Sequence, residues 1–169
     1  VKGTASLETD LWAELKQKIG QEAFDKLVAG FEGSAESQIL GTTIKMADHS
    51  YSDPLNGEGY RTMLFLYPLE GKEQESEDLL LEWKKYCEEK KSPTTFHAYD
   101  TQYGSDHVYV VGFPAKDAAD MERKFTENHQ LLGETELQLW KKQMSLTKKY
   151  YWKRGWYSPE LSYYFSEAN

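Results

Sequence analysis

The side chains of this 169-residue chain best suited to acid–base or ligand chemistry are His49, His97, His107 and His129, with Arg61 and Arg154. Around them stands a large set of rings, 12 Tyr, 7 Phe and 5 Trp, 14 % of all residues, so much of the apolar burial must come from rings. His97 and Tyr99 alternate with Phe96 and Ala98 and share one face of any strand. Arg61 and Tyr67 share a face of the segment 60–69 in the same way. Trp152, Arg154 and Trp156 share a face of the segment 150–157. If the three sets fall on one sheet face, they enclose a ring-lined pocket with two guanidinium groups and one imidazole. Such a pocket suits a flat aromatic or anionic small molecule, through stacking and charge-assisted hydrogen bonds. His97 and Arg61 are then the catalytic candidates, as proton acceptor and oxyanion holder. Tyr67, Tyr99, Trp152, Arg154 and Trp156 are the ligand-binding candidates. The competing and favoured reading is that these rings make a dimer interface, where Tyr, Trp and Arg are enriched anyway. A one-residue slip of register would send any of the sets to the other face.

Other chemistries lack support. Across a hairpin turning at Gly104-Ser105, His107 faces Gln102, five residues or about 17 Å along the strand from His97, too far to share a metal ion. No metal site is expected, and no cofactor. A single axial haem histidine, His97 or His129, is the alternative, set against the commoner case of a surface or hydrogen-bonded imidazole. The one cysteine, Cys87, excludes a disulfide framework and reads as a buried small hydrophobe on an apolar helix stripe. Ser50 and Ser162 have no Gly-rich nucleophile elbow, and Gly57-Glu58-Gly59 lacks the Lys-Ser/Thr of a phosphate loop. Asp100 and Asp106 read as residues flanking a turn. From Tyr150 to Phe165 half the residues are aromatic and lysines flank them, yet a net charge of −8 and pI ≈ 5.1 argue against nucleic acid. No run is long enough to span a membrane, so a soluble protein is expected. Residue 1 is Val with no basic-plus-apolar leader after it, which leaves cytoplasm and periplasm both open.

The elements that must position these residues follow from periodicity. Residues 10–31 read as two helices broken at Gly20, with Gly33 ending the second. Residues 38–46 read weakly as a strand, and 48–59 as a loop. Residues 60–69 form the clearest strand. Residues 73–91 form the clearest helix, with Leu79, Leu80, Trp83, Tyr86 and Cys87 on one stripe and Pro93 as its stop. Two strands, 94–103 and 106–113, precede helices at 116–129 and 134–148 separated at Leu132-Gly133, and 150–157 closes as a strand. The order from residue 60 is β-α-β-β-α-(α)-β, the ferredoxin-like order, in which helices cover one face of an antiparallel sheet and leave the other bare.

A weak internal repeat is superposed on this order. Ile19-Gly20, Phe24, Leu27 and Phe31 match Leu132-Gly133, Leu137, Trp140 and Met144 at a constant offset, and Ser50-Tyr51 matches Ser162-Tyr163 with one indel. Residues 1–53 therefore read as a degenerate first repeat and 60–165 as a complete unit, together one compact domain. On that reading the sheet gains a strand near residues 38–46. The element order, the Leu132-Gly133 break and the ending Trp156-Tyr157-Ser158-Pro159-Glu160-Leu161-Ser162-Tyr163 resemble the dimeric α+β-barrel superfamily, in particular uncharacterised bacterial members. The resemblance covers 60–165 well and 10–53 loosely. It implies two ferredoxin-like sheets packed face to face, here as a homodimer. It implies a small-ligand-binding or assembly protein. The alternatives are a cofactor-independent monooxygenase- or isomerase-like enzyme, whose activity is undecided at this level, and a haem-binding protein.

Overall fold

The computed structural model describes residues 13, 15–32, 42–51, 59–103 and 106–158, in two units, 1–41 and 42–169. In the first unit, Gly20 at φ +81° separates helical residues 15–19 from α1 (Gln21–Glu32), as the sequence break predicts. Exposed Gln21–Asp25 and Glu22–Lys26 pairs one turn apart support α1.

The second unit is α+β: a five-stranded antiparallel sheet with helices, an arrangement consistent with the ferredoxin-like class. Its elements are β1 (Thr42–Lys45), a 3₁₀ turn at Ala47–His49, β2 (Tyr60–Pro68), α2 (Glu73–Lys90), β3 (His97–Tyr103), β4 (Tyr109–Ala115), α3 (Ala118–Ser145) and β5 (Thr147–Trp156). The strand order is β1-β3-β4-β2-β5. The extra strand expected near 38–46 is present as β1, antiparallel to β3 with Lys45 opposite Tyr99; residues 38–41 lie outside the described residues. Although the sequence groups β1 with residues 1–53, it hydrogen-bonds into the sheet of the second unit. The turn at Gly104-Ser105, the end of the first helical stretch at Gly33 and the Ser162-Tyr163 repeat also fall outside the described residues.

Alternation along β2 decides what each face holds. Tyr60, Thr62, Leu64 and Leu66 are buried and Arg61, Met63, Phe65 and Tyr67 only half so. The even positions face α2 and α3: Leu64 and Leu66 join the main core with Leu80, Cys87, Phe96, Tyr109, Val111 and Leu132, and Tyr60 packs with Ala115 and Met121. Register extends the division across the sheet, with Leu64 opposite Val111 on one side and Trp152 on the other.

The helix ends carry their own explanations. Asp117 caps α3 by accepting a hydrogen bond from the Asp120 amide at 2.8 Å. The sequence makes Pro93 the stop of α2, but the helix ends at Lys90. Lys91 turns left-handed at φ +54°, and the Ser92 amide donates back to the Cys87 carbonyl at 2.9 Å. The expected break in α3 is present as a kink, with Gly133 at φ +57°, ψ −134°, a conformation that side chains with a Cβ resist. The helix then runs to Ser145 and β5 begins at Thr147, three residues earlier than the aromatic run predicts.

Candidate functional site

The sheet does not bring the three predicted sets together. Arg61, Tyr67, His97 and Tyr99 lie on the face turned away from α2 and α3, termed open only in that sense, since Arg61 and Tyr67 are odd positions of β2 and His97 and Tyr99 pair with Gly112 and Val110. Trp152, Arg154 and Trp156 pair with Leu64, Thr62 and Tyr60 and therefore lie on the helix-covered face. Alternation sorted the residues within each strand correctly, and inter-strand register parted the third set from the other two.

The open face is a patch of rings and cations. Phe65 stacks on Tyr151, directly across from it on β5, at 4.7 Å between ring centres and 16° between planes. The Tyr67 and Tyr151 hydroxyls share a hydrogen bond of 3.0 Å, and burial together with this bond pushes the Tyr67 hydroxyl up to about 12. Lys149 lies 4.9 Å from the Tyr67 ring centre and Lys153 5.6 Å from that of Phe65. His97 is only 6 % exposed on this face, and neither ring nitrogen has a hydrogen-bond partner among the described residues. Burial, then the positive charges of Lys45 and Arg61, hold its pKa below the ordinary imidazole value, so the ring is neutral at pH 7. Arg61 donates to the Tyr60 carbonyl at 2.9 Å, and burial raises the Tyr99 hydroxyl.

The other histidines are paired at the surface or near it. His107 meets Asp100 at 3.0 Å, His129 meets Glu136 at 2.8 Å, and His49 lies 3.5 Å from Glu77. On the helix side Arg154 reaches Glu122 at 3.0 Å. Trp156 is 66 % exposed, with its ring edge-on to Tyr60 at 5.3 Å.

Between the sheet and the two helices lies a cavity of about 260 Å³. Leu64, Leu66, Phe96, Val111 and Phe113 form its floor, Leu80, Trp83 and Cys87 its α2 wall, and Phe125, Trp140 and Gln143 its α3 wall. Trp152 closes the β5 side and, at 42 % exposure, is the lining residue most open to solvent. A continuous band of rings runs along this side: Phe113 meets Phe125 at 5.3 Å and Trp152 at 5.9 Å, and Trp152 stacks on Trp140 at 6.5 Å. Of the predicted site residues only Trp152 lines the cavity.

The kink at Gly133 builds the polar end of this cavity. Asn128 and Glu136 are eight residues apart, about 12 Å along an unbroken helix. The kink lets Asn128 Nδ2 donate to Glu136 Oε1 at 3.0 Å. Tyr86 of α2 donates to the Leu132 carbonyl, next to the kink, at 3.3 Å. Ser92 donates in turn to Asn128 Oδ1, so this corner is tied to the end of α2. Cys87 is 3 % exposed, and burial pushes its thiol up to about 11, with Glu136 and Glu88 adding to the rise and Ser92 opposing it. It is a neutral wall group, as its place on the apolar stripe predicts.

Among the described residues no three His, Cys, Asp or Glu side chains cluster to hold a metal ion, and no helix is long and apolar enough to cross a membrane. Among the described lining residues there is no histidine, and the one thiol, Cys87, is held neutral by burial. The sequence reading missed Phe125, Asn128, Glu136 and Gln143. A usable signal was Gln143 itself, an uncharged polar residue within the Leu139–Leu146 apolar stripe of α3. Comparisons of the chain with protein-family models, with curated proteins and with solved structures gave no match.

Proposed function

We propose that this protein binds a small, flat, apolar molecule of one or two rings in the cavity between the sheet and helices α2 and α3. The observation that carries this reading is the cavity itself: about 260 Å³, walled mostly by aliphatic side chains and rings. An apolar cavity of ~150 Å³ already takes benzene, and sites for drug-sized ligands start at ~300 Å³, so the volume points to a ligand between those sizes. Trp83, Trp140 and Trp152 supply faces for stacking. Equilibrium dialysis against radiolabelled naphthalene tests it. One saturable site per chain is expected, and uptake that rises linearly without saturation would refute the reading.

The enzymatic alternative needs His97, Tyr99, Arg61 and Trp152 around one ligand, and Trp152 lies on the face opposite the other three, which favours binding over catalysis by that set. A second reading concerns the open face. Its half-buried row of Phe65, Tyr67 and Tyr151, together with the resemblance to the dimeric α+β-barrel superfamily, supports a second copy of this chain packed there as a homodimer. Sedimentation equilibrium decides this: a dimer at micromolar concentration that Phe65→Asp converts to monomer is expected, and a wild-type monomer would contradict it.

A further inference from the structure

We infer that the outer edge of β5 is a docking site for an extended acidic segment of another protein, which adds to the sheet as a further strand. β5 closes one side of the sheet, and among the described residues only its inner edge is paired, to β2. The opposite edge strand, β1, is four residues long, whereas β5 runs for ten, about 33 Å of backbone with unpaired groups along it. Its residues are exposed except at Thr147 and Tyr151. Such an edge offers a ladder of main-chain hydrogen bonds to any extended chain, and the side chains around it decide which chain is taken. An added strand lies beside β5 and not over the ring row of the open face, so this surface differs from the one assigned above to a second copy.

Charge makes the choice. β5 carries Lys148, Lys149, Lys153 and Arg154 and no carboxylate, in a chain of net charge −8. Arg154 is held by Glu122, but the three lysines meet no carboxylate among the described residues, whereas Lys72, Lys84, Lys124 and Lys142 each reach one. Opposite charges facing across a ladder stabilise it and like charges oppose it. A second copy pairing antiparallel about Tyr151 would set Lys149 against Lys153 and Lys148 against Arg154, so the edge rejects its own kind and accepts an acidic strand. The tyrosines agree. The Tyr67 and Tyr151 hydroxyls share one hydrogen bond at 3.0 Å, which uses one of their two protons. The other proton is left for an acceptor from outside, on the side of β5 that carries Lys149 and Lys153. The charge of Asp106 reaches the Tyr67 hydroxyl, and no hydrogen bond joins the two.

The test titrates the full chain with a fluorescent heptapeptide of alternating Glu and Val. Its counterparts are a heptapeptide of alternating Lys and Val and the Glu-Val peptide with every backbone nitrogen methylated, which keeps the charge and removes the donors. The acidic peptide is expected to bind about tenfold more tightly than either counterpart and to slow amide exchange at alternate residues of β5. Lys149→Glu combined with Lys153→Glu should weaken it by about the same factor. No binding at millimolar peptide overturns the inference. Equal binding of the methylated peptide reduces the site to charge alone, and equal binding of the Lys-Val peptide removes the acidic preference; either result overturns it. So does tighter binding of single-stranded oligothymidylate than of the acidic peptide, or β5 protection that grows with protein concentration when no peptide is present. Should the double variant not fold, the three peptides on wild type decide.

Discussion

The two faces of one sheet solve the same problem, covering rings, with different chemistry. On the helix side rings meet aliphatic side chains and leave a cavity whose polar contacts gather at the Gly133 kink and at Gln143. On the open side rings meet cations: Phe65, Tyr67 and Tyr151 carry Lys149 and Lys153 over their faces. The first device leaves room for the small apolar ligand proposed above. The second sets charge over rings, with each ammonium close to a ring face. Neighbouring residues of one strand therefore differ in consequence: Leu66 and Phe65 are adjacent in sequence and belong to different environments.

That contrast is open to attack by mutation. Leu66 is 1 % exposed, so Leu66→Ala should cost about 3 kcal/mol in urea denaturation, whereas Phe65→Ala, on the half-buried face, should cost about 1 kcal/mol at low protein concentration. Equal losses would erase the distinction between the faces. Next in size is Gly133→Ala. A Cβ there would meet nothing within 4 Å, so the cost is backbone strain alone, about 1–3 kcal/mol, and it should also loosen the Asn128–Glu136 contact. A variant as stable as wild type would show that the kink is not held by glycine. Asp117→Ala, outside the cavity lining, should cost about 1 kcal/mol through the lost cap of α3, and serves as the control for a purely local effect.

Two smaller effects separate the faces by titration. The His97 pKa is lowered in the folded chain, so the unfolded chain takes up the proton first as pH falls. Its contribution to stability is complete above about pH 6.5 and is lost on acidification below that value. His97→Phe should flatten the stability profile between pH 7.5 and 5.5, and an unchanged slope would remove His97 as the cause. Cys87, with its thiol at about 11, should resist alkylation at pH 8 in the folded protein and react readily in denaturant. Rapid labelling of the native protein would mean that the α2 wall of the cavity is open to solvent.

The elements and the face of each residue within its strand were legible because period-2 and period-3.6 patterns are local properties of the chain. Tyr60–Pro68, Glu73–Lys90 and the Gly133 break stand where the sequence places them. The pairing of strands was not legible. Whether Trp152 stands beside Leu64 or beside Phe65 depends on a hydrogen-bond register set between distant segments, and one residue's difference moves the ring from cavity to surface. At the end of α2 the place was legible but not the device: Lys91 adopts a left-handed conformation that local propensity assigns to glycine. The cavity has no linear signature at all. It forms where β2, β4, β5, α2 and α3 each present part of an apolar stripe, and Gln143 stands out only once those stripes are seen to converge.

The central claim, that the helix-covered face and not the open face takes the ligand, is tested most directly by methyl-resolved NMR during a naphthalene titration. Saturable shifts at Leu64, Leu66, Leu80 and Val111, with Met63 and Val110 unmoved, are the predicted result. Shifts confined to Met63 and Val110 would place the ligand on the open face and contradict the account.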